Sequence, residues 1–158
     1  MKIKVLISAC LLGKNCRYNG GHSRISELDE LDVDFIPVCP EEAGNLGTPR
    51  PAAEMQGSSE NILKGHARIL TNDGNDVTKQ FVQGAKKSLE VGLTSGVEVA
   101  ILKSHSPSCG VGGVYDGTFT HSLTDGNGIF SHLCRESGIT CISSDDSNQI
   151  KLTLKKLK

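Results

Sequence analysis

Six cysteines give this chain its chemistry, and three of them, Cys10, Cys39 and Cys109, share a setting. Cys10 directly follows the apolar run Ile3–Ala9, Cys39 directly follows Val38, and Cys109 lies in the small-residue stretch after Leu102. Thiolates are soft ligands suited to an iron–sulfur cluster or to zinc. The chain has no paired C-x-x-C knuckle, which argues against an ordinary structural zinc site. A cluster held by three cysteines leaves one iron without a protein ligand, and that iron can act as a Lewis acid toward a soft atom such as sulfur. The bland alternative is that a small apolar side chain fills strand ends.

The neighbours of these cysteines are polar. Glu41 and Glu42 follow Cys39, and either carboxylate is a candidate general acid or base; adjacent residues point apart, so one of them is expected to face the site. Ser106 and Ser108 flank Pro107 just before Cys109, where a hydroxyl can orient a substrate oxygen, although serines in such a segment also serve as turn formers. Arg50, held between Pro49 and Pro51, can bind an anion or a carbonyl, and Lys103 is a further binding candidate. His105 reads as a polar loop residue. Gly110, Gly112 and Gly113 allow close backbone approach, and their N–H groups are expected to be open to cluster sulfides. Cys16 is expected beside the site in an accessory role, as a redox partner, a wall residue or a fourth ligand. Cys134 and Cys141 read as core.

Separated cysteines meet only if the fold gathers them, so the elements matter. Ile3–Ala9, Asp34–Val38, His66–Leu70, Val97–Leu102 and Ile139–Ile142 read as strands. Ser23–Leu31 reads as a helix capped by Ser23, and Gly126–Ser137 as another. A helix from Asp76 or Thr78 to about Leu93 is amphipathic, with Phe81, Ala85 and Leu89 on one face. Cys39 to Gly57 reads as a long irregular loop, a length uncommon unless it lines a site. Strands alternating with helices predict an α/β, three-layer Rossmann-like domain with a mostly parallel sheet, one domain over residues 1–158. In such sheets the carboxyl ends of strands converge on one crevice, which would unite the three cysteines.

Composition narrows the function. Seventeen Lys plus Arg against eighteen Asp plus Glu leave a net charge of -1, too little for a field that holds a polyanion, so no stable nucleic-acid binding is expected. Lys151, Lys155, Lys156 and Lys158 read as a solvated tail or last helix face. Before Ser8 the apolar stretch is only Val5-Leu6-Ile7, against the roughly 7–15 residues of a signal-peptide core, and no run approaches the ~18 apolar residues of a membrane span. A cytoplasmic location with reduced thiols is the expectation, and a disulfide-stapled secreted domain fits poorly. No G-x-G-x-x-G or Walker sequence occurs, which leaves nucleotide binding without its fingerprint.

Three motifs in order, Ser8-Ala9-Cys10-Leu11-Leu12-Gly13 with Cys16-Arg17-Tyr18-Asn19-Gly20, then Cys39-Pro40-Glu41 with Thr48-Pro49-Arg50-Pro51, then Leu102-Lys103 with Ser106-Pro107-Ser108-Cys109-Gly110, resemble the thiouracil desulfidase family. The resemblance covers nearly the whole chain. It implies a 4Fe-4S cluster on Cys10, Cys39 and Cys109 and a non-redox removal of sulfur from thiouracil or a related small thiolated compound, with release of hydrogen sulfide. It places Glu41 as the catalytic carboxylate and Ser106 as the catalytic serine, with Ser108 competing for that role. Arg50, Ser108 and Lys103 are expected at the substrate. Members with an additional domain act on thiolated tRNA nucleosides, so a single domain is expected to take a free base or a small thiolated metabolite. The alternatives are a non-catalytic iron–sulfur or zinc module and a thiol redox protein using Cys10 and Cys16.

Overall fold

A computed structural model describes residues 2–157. Its centre is a four-stranded parallel sheet of β1 (Ile3–Ser8), β2 (Val33–Val38), β5 (Val99–Leu102) and β8 (Thr140–Ser143), in the order β2-β1-β5-β8. The middle strands are continuous apolar runs because both of their faces are covered. Alternate side chains go to opposite sides. Leu6, Ala100 and Leu102 pack with α3 (Thr78–Ser95) and α4 (Ile129–Glu136), through Phe81, Ala85, Ile129 and Phe130. Val5, Ile7, Val99, Ile101 and Ile142 pack on the other side with Leu28 and with Ile150 and Leu154 of α5 (Ser147–Leu157). This is the three-layer Rossmann-like arrangement the sequence predicts. Pro37 sits in β2, which is an edge strand, where a missing N–H is tolerated.

Five short elements, none of them expected, complete the α/β frame. α1 (Pro40–Ala43) and β3 (Ala53–Met55) lie inside the stretch that reads as an irregular loop, and β3 pairs antiparallel with β4 (Ile69–Thr71). α2 (Ser59–Leu63) is capped by the Ser58 side chain, which accepts from Asn61 N at 3.1 Å. A hairpin of β6 (Gly113–Tyr115) and β7 (Leu123–Asp125) follows β5. The helix expected over Ser23–Leu31 is only a 3-10 segment at Ser26–Glu30, because the chain before it is held extended: Ser23 N donates to Cys10 O and Ile25 N to Leu11 O. β4 starts at Ile69 rather than His66. Lys151, Lys155 and Lys156 line the exposed face of α5, while Lys158 lies outside the described residues. Among the described residues no helix is long and apolar enough to cross a membrane.

α1 is clamped to α3 by glycine on both sides. A Cβ on Gly84 would stand 1.8 Å from Pro40 O, and one on Gly44 would stand 2.0 Å from Gln80 O. Both obstacles are backbone and cannot rotate away. Gly84→Ala is therefore expected to destabilise the protein by about 1–3 kcal/mol or more through overpacking, which thermal unfolding reads as a midpoint lowered by several degrees. An unchanged midpoint would contradict the clamp.

Candidate metal centre and active site

The sheet order reverses direction between β1 and β5, so the chain after β1 and the chain after β5 diverge around a crevice at the switch point. There lies a cleft of about 230 Å³, and Cys10, Cys16, Cys39 and Cys109 all line it. Each is placed by a local device. Cys10 sits in a 3-10 turn, Ala9–Leu12, that begins as β1 ends and stops at Gly13, whose φ of 99° suits glycine. Cys39 is the N-cap of α1, with Pro40 at the first helical position. Cys109 is fixed by Ser106, whose Oγ accepts from Ser108 N at 3.1 Å and from Cys109 N at 2.7 Å. Ser8 Oγ accepts from Lys103 N at 2.9 Å and ties the two crevice walls together.

All six cysteines are free. Cys16 is the hub of the thiols: its side chain lies against those of Cys10 and Cys39, and its carbonyl accepts from Cys39 Sγ at 3.7 Å. Contact with Cys10 pushes the Cys16 thiol up to about 11, against a smaller opposing pull from Cys39 and with help from burial. Contact with Cys16 and then burial push Cys39 up. Burial pushes Cys109 up to about 12, partly offset by hydrogen bonds with the Ser8 and Ser106 hydroxyls. As bare thiols these groups resist ionisation, and a cationic centre would reverse that balance and hold them as thiolates. Cys134 and Cys141 lie against each other in the core as expected, and neither lines the cleft; Cys141 Sγ donates to Ser131 O at 3.8 Å and to Ile139 O at 3.7 Å.

Glu41 faces the cleft and Glu42 faces away, where it pairs with Lys14 at 3.0 Å and accepts from Thr48 Oγ1 at 2.8 Å. The Glu41 carboxylate forms a largely buried ion pair with Arg50 through Oε2. The guanidinium also donates to Cys16 O at 2.8 Å, Thr48 Oγ1 at 2.9 Å and Gly47 O at 3.1 Å. Arg50 lines the cleft with its two terminal nitrogens bonded to the protein, and it staples the Cys16 loop to Glu41. Lys103 lines the cleft with Nζ folded onto Ser104 O and Oγ at 3.3 and 3.2 Å; burial first, then Arg17, lowers its pKa.

The two serines have different situations. Ser106 Oγ already accepts two backbone N–H groups, whereas Ser108, 1% exposed, has a hydroxyl with no partner in the protein. Two of the three glycine N–H groups expected at cluster sulfides are otherwise engaged: Gly110 N donates to Ser106 O and Gly112 N to Asn127 Oδ1, both at 2.9 Å. Gly110 is needed for packing instead, since a Cβ there would meet Ser106 O at 2.7 Å. Ser8, Glu54, Tyr115 and His121 also line the cleft and escape a sequence reading. A lone glutamate between Ala53 and Met55 is the one signal that marks Glu54 in advance.

The donors fit an iron–sulfur cluster. Among the described residues no three Cys, His, Asp or Glu gather tightly enough for one metal ion, as a structural zinc requires, while cluster ligands stand on separate irons and spread farther. An α/β sheet that gathers thiols and a carboxylate in one cleft at its switch point offers the soft ligand set of an iron–sulfur protein. The model of the 2-thiouracil desulfurase family matches residues 5–146, and the chain belongs to that family. The uncharacterized protein YbbK of Bacillus subtilis (strain 168) is 38% identical over 149 residues, 92% of this chain and 99% of that protein. A solved structure of the [4Fe-4S]-dependent thiouracil desulfidase TudS is 39% identical, covers 98% of this chain and 99% of its own, and superposes with a TM-score of 0.86.

Proposed function

We propose that this chain is a cytoplasmic desulfidase, acting as one unit, that hydrolyses the carbon–sulfur bond of thiouracil or a related small thiolated base and releases hydrogen sulfide. Cys10, Cys39 and Cys109 hold a 4Fe-4S cluster. The observation that carries the reading is the meeting of these three strand-end thiols with the Glu41 carboxylate in one cleft of an identified family member. When bound, the cluster supplies a soft Lewis-acidic iron position for the substrate's sulfur.

The protein's own groups do the rest. Arg50 holds Glu41 Oε2, which leaves Oε1 to take a proton from the attacking water and return it to the departing sulfur. Ser106 spends its lone pairs on the backbone and keeps its O–H for Cys109, so it orients the ligand loop. Ser108 offers the unpartnered hydroxyl, suited to a ring oxygen. Lys103 offsets negative charge at the cleft. Thiocarbonyl plus water gives carbonyl plus hydrogen sulfide, so no electron donor is needed.

Anaerobic reconstitution followed by sulfide release from a panel of thiolated bases tests the reading. Cluster-loaded protein that releases no sulfide from any of them would end it. A Cys10–Cys16 redox function is the second reading, favoured by the contact between those thiols. Cys16→Ser separates the two: the desulfidase keeps its iron and retains turnover within about tenfold, whereas a dithiol mechanism loses all activity and is indifferent to iron.

A further inference from the structure

Beside the thiols, the cleft is lined by Ala53, Val77, Phe81 and the Tyr115 and His121 side chains of the β6–β7 hairpin, and with these residues sits a second carboxylate. Glu54, on β3, is 8% exposed. Its Oε1 accepts from Gly117 N at 2.9 Å and from Phe119 N at 3.2 Å, which fastens the hairpin turn to β3. The fit is close, for a Cβ on Gly117 would stand 2.7 Å from Met55 O, and Gln56 Nε2 adds a bond to Gly117 O at 3.0 Å. Phe119 and His121 hold φ of 59° and 60°, left-handed values uncommon for side-chain-bearing residues. The latched turn thus presents Tyr115 and His121, edge to face at 6.1 Å, along the cleft.

Among the described residues nothing donates to the second oxygen, Glu54 Oε2. The neighbouring cations are already engaged, Arg50 by Glu41 and Lys103 by Ser104. A carboxylate oxygen that the protein leaves without a donor, on a residue only 8% exposed that lines a ligand cleft, is an acceptor open to a donor on the ligand. We infer that Glu54 Oε2 accepts the ring N–H of the substrate, with Tyr115 and His121 as the aromatic border for a flat ring, so that the substrate class is a planar cyclic thioamide with an unsubstituted ring nitrogen. This rests on the desulfidase reading and deepens it. The thioamide group carries its N–H on the atom next to the carbon that loses sulfur, so an acceptor fixed there orients the reacting bond. Glu54 is a specificity residue, separate from the Glu41 proton relay.

The experiment uses anaerobically reconstituted protein, wild type and Glu54→Gln, with 2-thiouracil and its 1-methyl and 3-methyl isomers, which remove the ring N–H groups one at a time. Glutamine keeps an oxygen for Gly117 and Phe119 but turns an amide donor toward the cleft. Wild type is expected to lose about tenfold or more in kcat/KM on one methyl isomer. Glu54→Gln is expected to lose a similar factor on 2-thiouracil, chiefly through KM, and to stop distinguishing that isomer, with iron content unchanged. Calorimetric binding of the oxygen product, uracil, to cluster-loaded protein weakens in parallel and requires no turnover. Wild type that accepts both methyl isomers as well as the parent, or a Glu54→Gln enzyme with intact discrimination, overturns the inference and leaves Glu54 a hairpin latch. Failure of the desulfidase reading looks different: wild type then releases no sulfide from any compound, while uracil binding still reports on Glu54.

Discussion

Alanine at Cys10, Cys39 or Cys109 is expected to leave a folded protein that holds almost no iron and releases no sulfide. Each thiol comes from a different strand end, β1, β2 or the loop after β5, so no neighbour on the same element can replace the lost ligand. Cys16 is the fourth cysteine that lines the cleft, and it touches Cys10 and Cys39 but is not paired with Cys109. Cys109→Ala is therefore expected to be the most complete loss, while Cys10→Ala and Cys39→Ala can show trace loading through Cys16. The stability cost stays modest, because a small buried thiol trimmed to a methyl removes little volume. Iron and acid-labile sulfide analysis after anaerobic reconstitution, beside circular dichroism, checks it. Full loading in any of the three variants would remove that cysteine from the ligand set.

Glu41→Gln is expected to keep iron and fold and to lose about 10²-fold or more in kcat, the usual weight of a positioned acid–base group. Arg50→Ala should cost more in stability than in chemistry alone. The ion pair is largely shielded, with side-chain exposures of 7% for Arg50 and 18% for Glu41, so removing the cation leaves a carboxylate uncompensated. A loss of about 3–5 kcal/mol is the scale for breaking such a pair. The double variant Glu41→Gln with Arg50→Ala should be more stable than Arg50→Ala alone, since the stranded charge is gone. Unfolding midpoints of the four proteins form the cycle that measures it, and a double variant no better than the single one would contradict the pairing.

The strands that deliver the cysteines are legible in the sequence because their apolar runs are long and uninterrupted, as at Val5–Ile7 and Val99–Leu102. What escapes is whatever depends on distant backbone. Ser23 looks like a helix cap, yet its N–H is claimed by Cys10 O. Arg50 looks like a free binding residue, and only the folded positions of Cys16, Gly47 and Glu41 reveal that its two terminal nitrogens are engaged. The Gly110–Gly113 stretch reads as open backbone, while Asn127, far along the chain, takes up Gly112. The β6–β7 hairpin gives no period-two signal, since Leu123, Thr124 and Asp125 are all exposed. Glu41 could be separated from Glu42 only as one of two.

β1 begins at Ile3 and runs toward Cys10. Six extended residues span roughly 20 Å, so Ile3 lies at the edge of the sheet opposite the strand ends that carry the reactive thiols. A purification handle or fluorescent reporter joined ahead of Lys2 would therefore hang clear of the cleft mouth. Oxygen-free isolation through such a handle can proceed without cleaving it, which spares a labile prosthetic group one manipulation.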